Sequence, residues 1–242
     1  MADVLILGPH PDDIEICAGG LALSMIARGH SVAGVDMTAG EAGTRGARVD
    51  RLAEAAEGAQ RLGLSTRECL GLPDGELQHD TASRDLLIDA IRRHRPRLLV
   101  APYPMDHHPD HARTGALAKD ARFLAGCANI GPDAHAPWRP GRVLFYPSRE
   151  LVEPSLVVDV SAVFARKLEA IAAHVSQLHS ADSSEPLTTI ASESFLAEVE
   201  ARARTYGAQI GVEFGEAFVV EGPLAVDDPL LVVRDKSSSV YR

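Results

Sequence analysis

The sequence predicts an α/β fold: a mostly parallel sheet flanked by helices, followed by a smaller C-terminal extension. Two observations carry this. Short apolar runs alternate with segments of helical period over roughly the first 125 residues, at the spacing of βαβ units. The first run, Val4 to Leu7, is continuously apolar, as a strand buried on both faces must be. The whole chain is read as one domain, with a core at about 1–125 and the extension at about 126–242.

The elements follow in order. After Val4 to Leu7, Gly19 to Gly29 reads as a helix ended by glycine. Val32 to Met37 is the second strand. Val49, Leu52, Ala53, Ala56, Ala59 and Leu62 recur near helical period. Glu68 to Leu72 is the third strand. Leu86, Leu87, Ala90 and Ile91 belong to a helix that stops before Pro96. Leu98 to Tyr103 is the fourth strand, and another helix starts near His111. Gly126 to Gly141, with Pro132, Pro137 and Pro140, reads as an ordered loop. Val143 to Tyr146, Leu156 to Val160 and Glu216 to Val220 are later strands, with helices at Val163 to Leu178 and Glu193 to Tyr206. The tail from Arg234 is mostly polar and is expected to fray.

Composition narrows the function classes. Of 242 residues, 45% are hydrophobic and only 5% aromatic, so Ala, Leu, Val and Ile must build the core. Acidic residues outnumber basic ones 34 to 24, for a formal net charge of −10, which disfavours a protein that tracks nucleic-acid phosphates. A small anionic substrate stays open, because a few arginines suffice for a local positive pocket. Cys17, Cys69 and Cys127 form no Cys-x-x-Cys pair and are expected to be small buried hydrophobes. No leader signature opens the sequence and no apolar stretch is long enough to span a bilayer, so a cytoplasmic protein without membrane partners is expected.

Two four-residue segments carry the chemistry. His10-Pro11-Asp12-Asp13 follows the first strand, and His108-Pro109-Asp110-His111 follows the fourth. In a doubly wound, Rossmann-like sheet of order 3-2-1-4 those strands are neighbours, and ligands bind beyond their carboxyl ends. Either segment alone also fits a turn whose aspartate caps the next helix. Capping requires no histidine, however, and both segments fall at the same crevice. A catalytic zinc site takes three protein ligands and leaves a position for water. His10, Asp13 and His111 can supply that set. Asp12 is then the candidate general base, and His108 a candidate oxyanion or proton donor held in one tautomer by Asp110. This arrangement suits amide or ester hydrolysis. Six other histidines, His30, His79, His94, His135, His174 and His179, lack a partner motif, and Glu15, beside the site, is explained equally well by capping or the helix dipole.

The two histidine segments, with Thr38-Ala39-Gly40-Glu41-Ala42-Gly43-Thr44-Arg45-Gly46, Leu72-Pro73-Asp74-Gly75 and the stretch from Tyr206-Gly207 to Gly215-Glu216-Ala217-Phe218, resemble the PIG-L/LmbE-like family of zinc-dependent N-acetylglucosaminide deacetylases. The resemblance runs through nearly the whole chain. It implies one Zn2+ held by His10, Asp13 and His111, Asp12 as base, and His108 with Asp110 as electrostatic or acid partner. It also implies substrate binding by Arg51, with Glu41 and Asp74 toward sugar hydroxyls. The substrate implied is an N-acetylglucosamine conjugate, first the malate glycoside of bacillithiol biosynthesis, with a bacillithiol S-conjugate or another N-acetylglucosamine sugar as alternatives. A homo-oligomer is implied, with a hexamer as one form. Two departures stand out. Ile14 separates the aspartate pair from Glu15, and Phe195 occupies the position where some relatives place a tyrosine hydroxyl.

Overall fold

Alternation along β1 (Val4–Gly8) organises the molecule. Val4 and Ile6 point into one apolar cluster, and Leu5 and Leu7 into another on the opposite face. The computed structural model describes residues 1–181 and 184–233. In it β1 is flanked by β2 (Val32–Thr38) and β4 (Leu98–Pro102), with β3 (Thr66–Leu72) and β5 (Arg142–Tyr146) outside them. The order is β3-β2-β1-β4-β5 and every pairing is parallel. The expected order 3-2-1-4 is therefore present, extended by β5. Because β5 belongs to this sheet, the core runs past the boundary near residue 125 that periodicity suggests.

The helices cover both faces. They are α1 (Asp13–Ala27), α2 (Arg48–Leu62), α3 (Thr81–His94), α4 (Pro109–Leu124), α5 (Phe164–Ile171) and α6 (Phe195–Ile210). Asp80 caps α3 by accepting from the Ser83 amide at 2.8 Å. Gly211, at φ 70°, ends α6 in the left-handed region that glycine adopts without strain.

Two helices and the burial of two cysteines depart from the sequence reading. Helix α1 begins at Asp13 rather than near Gly19, because it is buried on all sides from Asp13 to Ser24 and so shows no amphipathic stripe. Its Gly20 marks a close approach instead. A β-carbon there would stand 2.7 Å from Glu216 Oε1. Glu216 accepts from the Gly20 and Leu21 amides at 2.8 and 2.7 Å and pairs with Lys167 at 2.6 Å. Helix α5 ends at Ile171 instead of running to Leu178. The following residues turn to other partners: Ser176 donates to Glu54 through its amide and hydroxyl, and Gln177 donates to the Arg45 carbonyl. Third, Cys17 is buried as expected, whereas Cys69 and Cys127 are only half-buried.

The extension is fastened to the core. Its strands β6 (Leu156–Asp159) and β7 (Gly215–Phe218) form an antiparallel pair, and a bridge between Phe145 and Val219 joins them to the edge of the main sheet. The expectation for the tail from Arg234 lies outside the described residues. Among the described residues no helix is long and apolar enough to cross a membrane.

The β1–β4 ladder stops at Ile6 and Val100, and the buried Tyr146 hydroxyl reaches from β5 to donate to the Leu7 carbonyl at 2.7 Å. Tyr146→Phe leaves that carbonyl without this partner and is expected to lower stability by about 1–2 kcal/mol. Urea unfolding checks this; an unchanged midpoint would show that the hydroxyl contributes nothing.

Candidate active site

Gly8 ends β1 where there is no room for a side chain. A β-carbon would stand 2.9 Å from the His10 carbonyl and 3.0 Å from Asp36 Oδ1. The chain then turns sharply. The Asp13 carboxylate accepts from the His10 amide at 2.9 Å and meets His10 Nδ1 at 3.0 Å. Across the crevice, Pro109 opens α4, and His108 caps it by accepting from the Asp110 amide at Nδ1, 3.2 Å. The rings of His10, His108 and His111 lie 4.9 to 5.4 Å apart. The two segments, about a hundred residues apart in sequence, thus meet at one place.

The donor atoms suit a divalent ion. Ligand atoms of His10, Asp13 and His111 lie within 4.8 Å of one another, with His111 Nε2 at 3.3 Å from Asp13 Oδ1. Around an ion bound at about 2.0–2.2 Å, tetrahedral ligands stand roughly 3.3–3.6 Å apart. His10, His108 and Asp110 form a second, overlapping group, but it is less buried. The electrostatics agree. Burial works against charge on His10, yet Asp110, Asp13 and Asp74 raise it well above the usual imidazole range. Burial likewise opposes charge on His111, and Asp13 outweighs it, pushing His111 up to about 9. The same pairings hold Asp13 well below the usual carboxylate range despite its burial.

Asp12 and Asp13 leave the turn in different directions. Asp12 Oδ1 accepts from Arg51 Nη2 at 3.1 Å, while its buried Oδ2 has no hydrogen-bond partner. Asp12 occupies the N-cap position of α1 but its side chain makes no capping bond. His108 is shifted downward, by burial first and then by the charges of His10 and His111. With Nδ1 accepting from an amide, its proton sits on Nε2.

Four other expected site residues have partners of their own at this crevice, and two of them, Arg51 and Asp74, line the cleft beside the triad. Asp110 meets His108 through its backbone amide; its carboxylate accepts from the Gly75 amide at 2.7 Å and approaches His10 Nε2 at 3.5 Å. Arg51 is buried and lines the cleft at the triad; its Nη1 is bound to the Gly40 carbonyl at 2.8 Å and its Nη2 to Asp12, while its Nε has no hydrogen-bond partner. Asp74 faces His10 Nε2 at 3.2 Å and accepts from the Ala42 amide at 2.8 Å. Its burial would raise it, but His10 brings it down to about 2. Glu41 is exposed and binds the Ala39 and Asp74 amides, tying two loops together.

Other participants gave no sequence signal. Asp106 accepts from Ser148 at 2.5 Å and from the His108 amide at 2.9 Å, and faces His111 Nδ1 at 3.7 Å. Ligand histidines commonly present their second nitrogen to such a carboxylate. Glu15 is fully buried against Arg67 at 2.5 Å and His174 at 3.3 Å, which replaces the capping explanation. The His174 contact is an ion pair without hydrogen-bond alignment. The triad opens into a cleft of about 390 Å³ whose far wall comes from the extension, including Gln177, Thr188, Thr189, Phe195, Glu198 and Arg202. Phe195 lines it without a hydroxyl.

Fold and site together define a class of α/β proteins with a histidine–carboxylate centre at the β1/β4 switch point. The family model of the GlcNAc-PI de-N-acetylases, PIG-L, matches residues 5–122. A diacetylchitobiose deacetylase of Thermococcus kodakarensis is 32% identical over 191 residues, covering 72% of this chain and 69% of that protein. A probable N-acetyl-alpha-D-glucosaminyl L-malate deacetylase 2 of Bacillus anthracis is 28% identical over 187 residues, covering 72% and 80%. The crystal structure of a conserved protein from Thermus thermophilus superposes with a TM-score of 0.86 at 36% identity, covering 97% of this chain and all of that one. The chain belongs to the PIG-L family.

Protons and a divalent cation compete for His10 and His111. Both are raised, so each keeps its proton until the pH passes its elevated value. Affinity of the metal-free protein for a divalent cation such as Zn2+ is therefore expected to rise with pH up to at least about 9, where His111 gives up its proton. Titrating Zn2+ across pH with proton-release measurement checks this; a flat profile between pH 6 and about 9 would contradict it.

Proposed function

We propose that this protein is a zinc-dependent hydrolase that removes the N-acetyl group from an N-acetylglucosamine conjugate. The observation that carries the reading is the geometry of Asp12. One oxygen is fixed by Arg51, the other is free, and the next residue belongs to the triad. Two imidazoles and one carboxylate are a common donor set for catalytic zinc. When bound there, the ion would acidify a water and polarise the acetamide carbonyl.

The protein's own groups do the rest. Asp12 Oδ2 accepts the proton of the attacking water, while Arg51 prevents the carboxylate from swinging away. His108, neutral with its proton on Nε2, donates to the oxygen on which negative charge develops. Asp106, Asp74 and the Asp110 carboxylate orient the ligand histidines from behind. The proton that Asp12 took from water passes to the nitrogen as the C–N bond breaks; the amine leaves, takes up the proton of the acetic acid formed, and acetate is the second product.

The malate glycoside of bacillithiol biosynthesis is the substrate we favour. The Bacillus anthracis relative supports it. Arg51 lines the cleft beside the triad, with its Nη atoms held by Gly40 and Asp12. A more exposed guanidinium for an anionic aglycone is Arg149 on the cleft rim, where its contact to Glu198 is a loose 3.4 Å. The Thermococcus relative supports a second reading, a neutral chitooligosaccharide. Acetate release from N-acetylglucosaminyl-malate and from diacetylchitobiose, measured side by side with metal analysis, separates them. The first is expected to have the higher kcat/KM. Release from neither would remove the deacetylase reading.

Asp12→Asn keeps the shape and an acceptor for Arg51. It is expected to retain stoichiometric zinc while kcat falls by about 10²–10⁴. Steady-state rates with metal content checked in parallel test it, and a wild-type rate would exclude Asp12 as the base.

A further inference from the structure

Behind the metal-binding turn lies a buried charged cluster that no catalytic step above uses. Arg67, on β3, runs past Gly34 of β2 with its side chain only 5% exposed. A guanidinium has five N–H donors, and here five acceptors meet them. Asp36 takes Nε and Nη2 at 2.7 and 2.9 Å, Glu15 takes Nη1 at 2.5 Å, and the Ala55 carbonyl takes Nη1 at 3.0 Å. The fifth acceptor is the Pro11 carbonyl, bound to Nη2.

That last contact reaches the centre of His10-Pro11-Asp12-Asp13. The Pro11 ring fixes its own φ, so its ψ decides where its carbonyl points. The same rotation sets the peptide plane from which Asp12 and Asp13 depart. Holding the carbonyl from below therefore holds the angle between the free Asp12 oxygen and the Asp13 ligand. Each support belongs to a different element: Asp36 to β2, Ala55 to α2 and Glu15 to α1. Helix α2 also makes room for it. A β-carbon on Gly58 would lie 2.3 Å from Glu15 Oε1, which accounts for a glycine in mid-helix.

We propose that Arg67 is a positioning residue that locks the Pro11 carbonyl and so sets the geometry of the metal-binding turn, an inference that rests on the metal-hydrolase reading of that turn. Arg67→Lys keeps the charge and loses the planar five-donor fork. In titrations of the metal-free protein with Co2+, followed by its visible absorption, the variant is expected to bind about 10–100-fold more weakly with a shifted spectrum. In the zinc-loaded enzyme kcat is expected to fall by a similar factor while KM stays within about threefold. Arg67→Lys that binds Co2+ with wild-type affinity and spectrum overturns the proposal, even if the variant is less stable, because the cluster would then be purely structural. Should Arg67→Lys fail to fold, Gly58→Ala decides. It favours the helix but displaces Glu15, and must weaken Co2+ binding; unchanged affinity overturns the proposal. The Co2+ titration requires no substrate. Weakened binding in these variants beside a wild type that releases no acetate would remove the deacetylase reading and leave the positioning role standing.

Discussion

Parallel pairing of β1 with β4 is the constraint on which the site depends. In a doubly wound sheet the chain leaves these two strands toward opposite faces, so a crevice opens above their carboxyl ends. The ladder ends at Ile6 and Val100. Beyond it, β1 delivers His10 to Asp13 and β4 delivers Asp106 to His111 into the same space. The rigid sheet thus supplies the distances, and short turns supply the donor atoms. Sheet curvature or a slipped register would separate the triad before any ligand residue changed.

Charge explains why such a crevice holds together. Asp12, Asp13, Asp74, Asp106 and Asp110 have side chains no more than 10% exposed. Burying carboxylates is costly unless cations and hydrogen bonds compensate. Arg51 compensates Asp12 from one side, and His10 and His111 compensate Asp13, Asp74 and Asp106. The acids still outnumber the basic groups among them. A divalent cation relieves that excess most directly, so the ion-binding character of the site belongs to the whole crevice and not only to its three donors. In the layer below, Arg67 compensates Asp36 and Glu15 in the same way.

Much of this was legible in the sequence because it is local. Continuous apolar runs marked β1 and β4, and paired histidine–aspartate turns marked the site. The residues that sequence reading missed have partners far away in the chain. Arg67 sits on an edge strand where a charged side chain reads as solvated, and nothing nearby reveals that it reaches past β2 to Pro11. Asp106 looks like a polar loop residue until Ser148 and His111 arrive from elsewhere. Helix α1 was half hidden because complete burial erases the amphipathic period. For Arg51 the position near the site was readable, but not its bonds to Asp12 and Gly40, which come from other elements.

The extension binds specificity to chemistry through one buried side chain. Arg45, on the loop that also carries Gly43 and Thr44 into the cleft, donates to the carbonyls of Ser176, Leu178 and Pro186 at 3.0, 3.4 and 3.2 Å. Gln177 returns a bond to the Arg45 carbonyl at 2.8 Å. An ion pair of Arg45 with the Glu185 carboxylate at 3.5 Å adds to these bonds, and the carbonyl bonds fix the main chain. The segment beyond it, with Thr188 and Thr189 on the cleft wall, is thereby registered against the loop that receives Arg51. The wall can change its side chains while its path stays fixed relative to Asp12. The side chains of Thr188, Thr189 and Ile190 on that wall can therefore change without disturbing the triad.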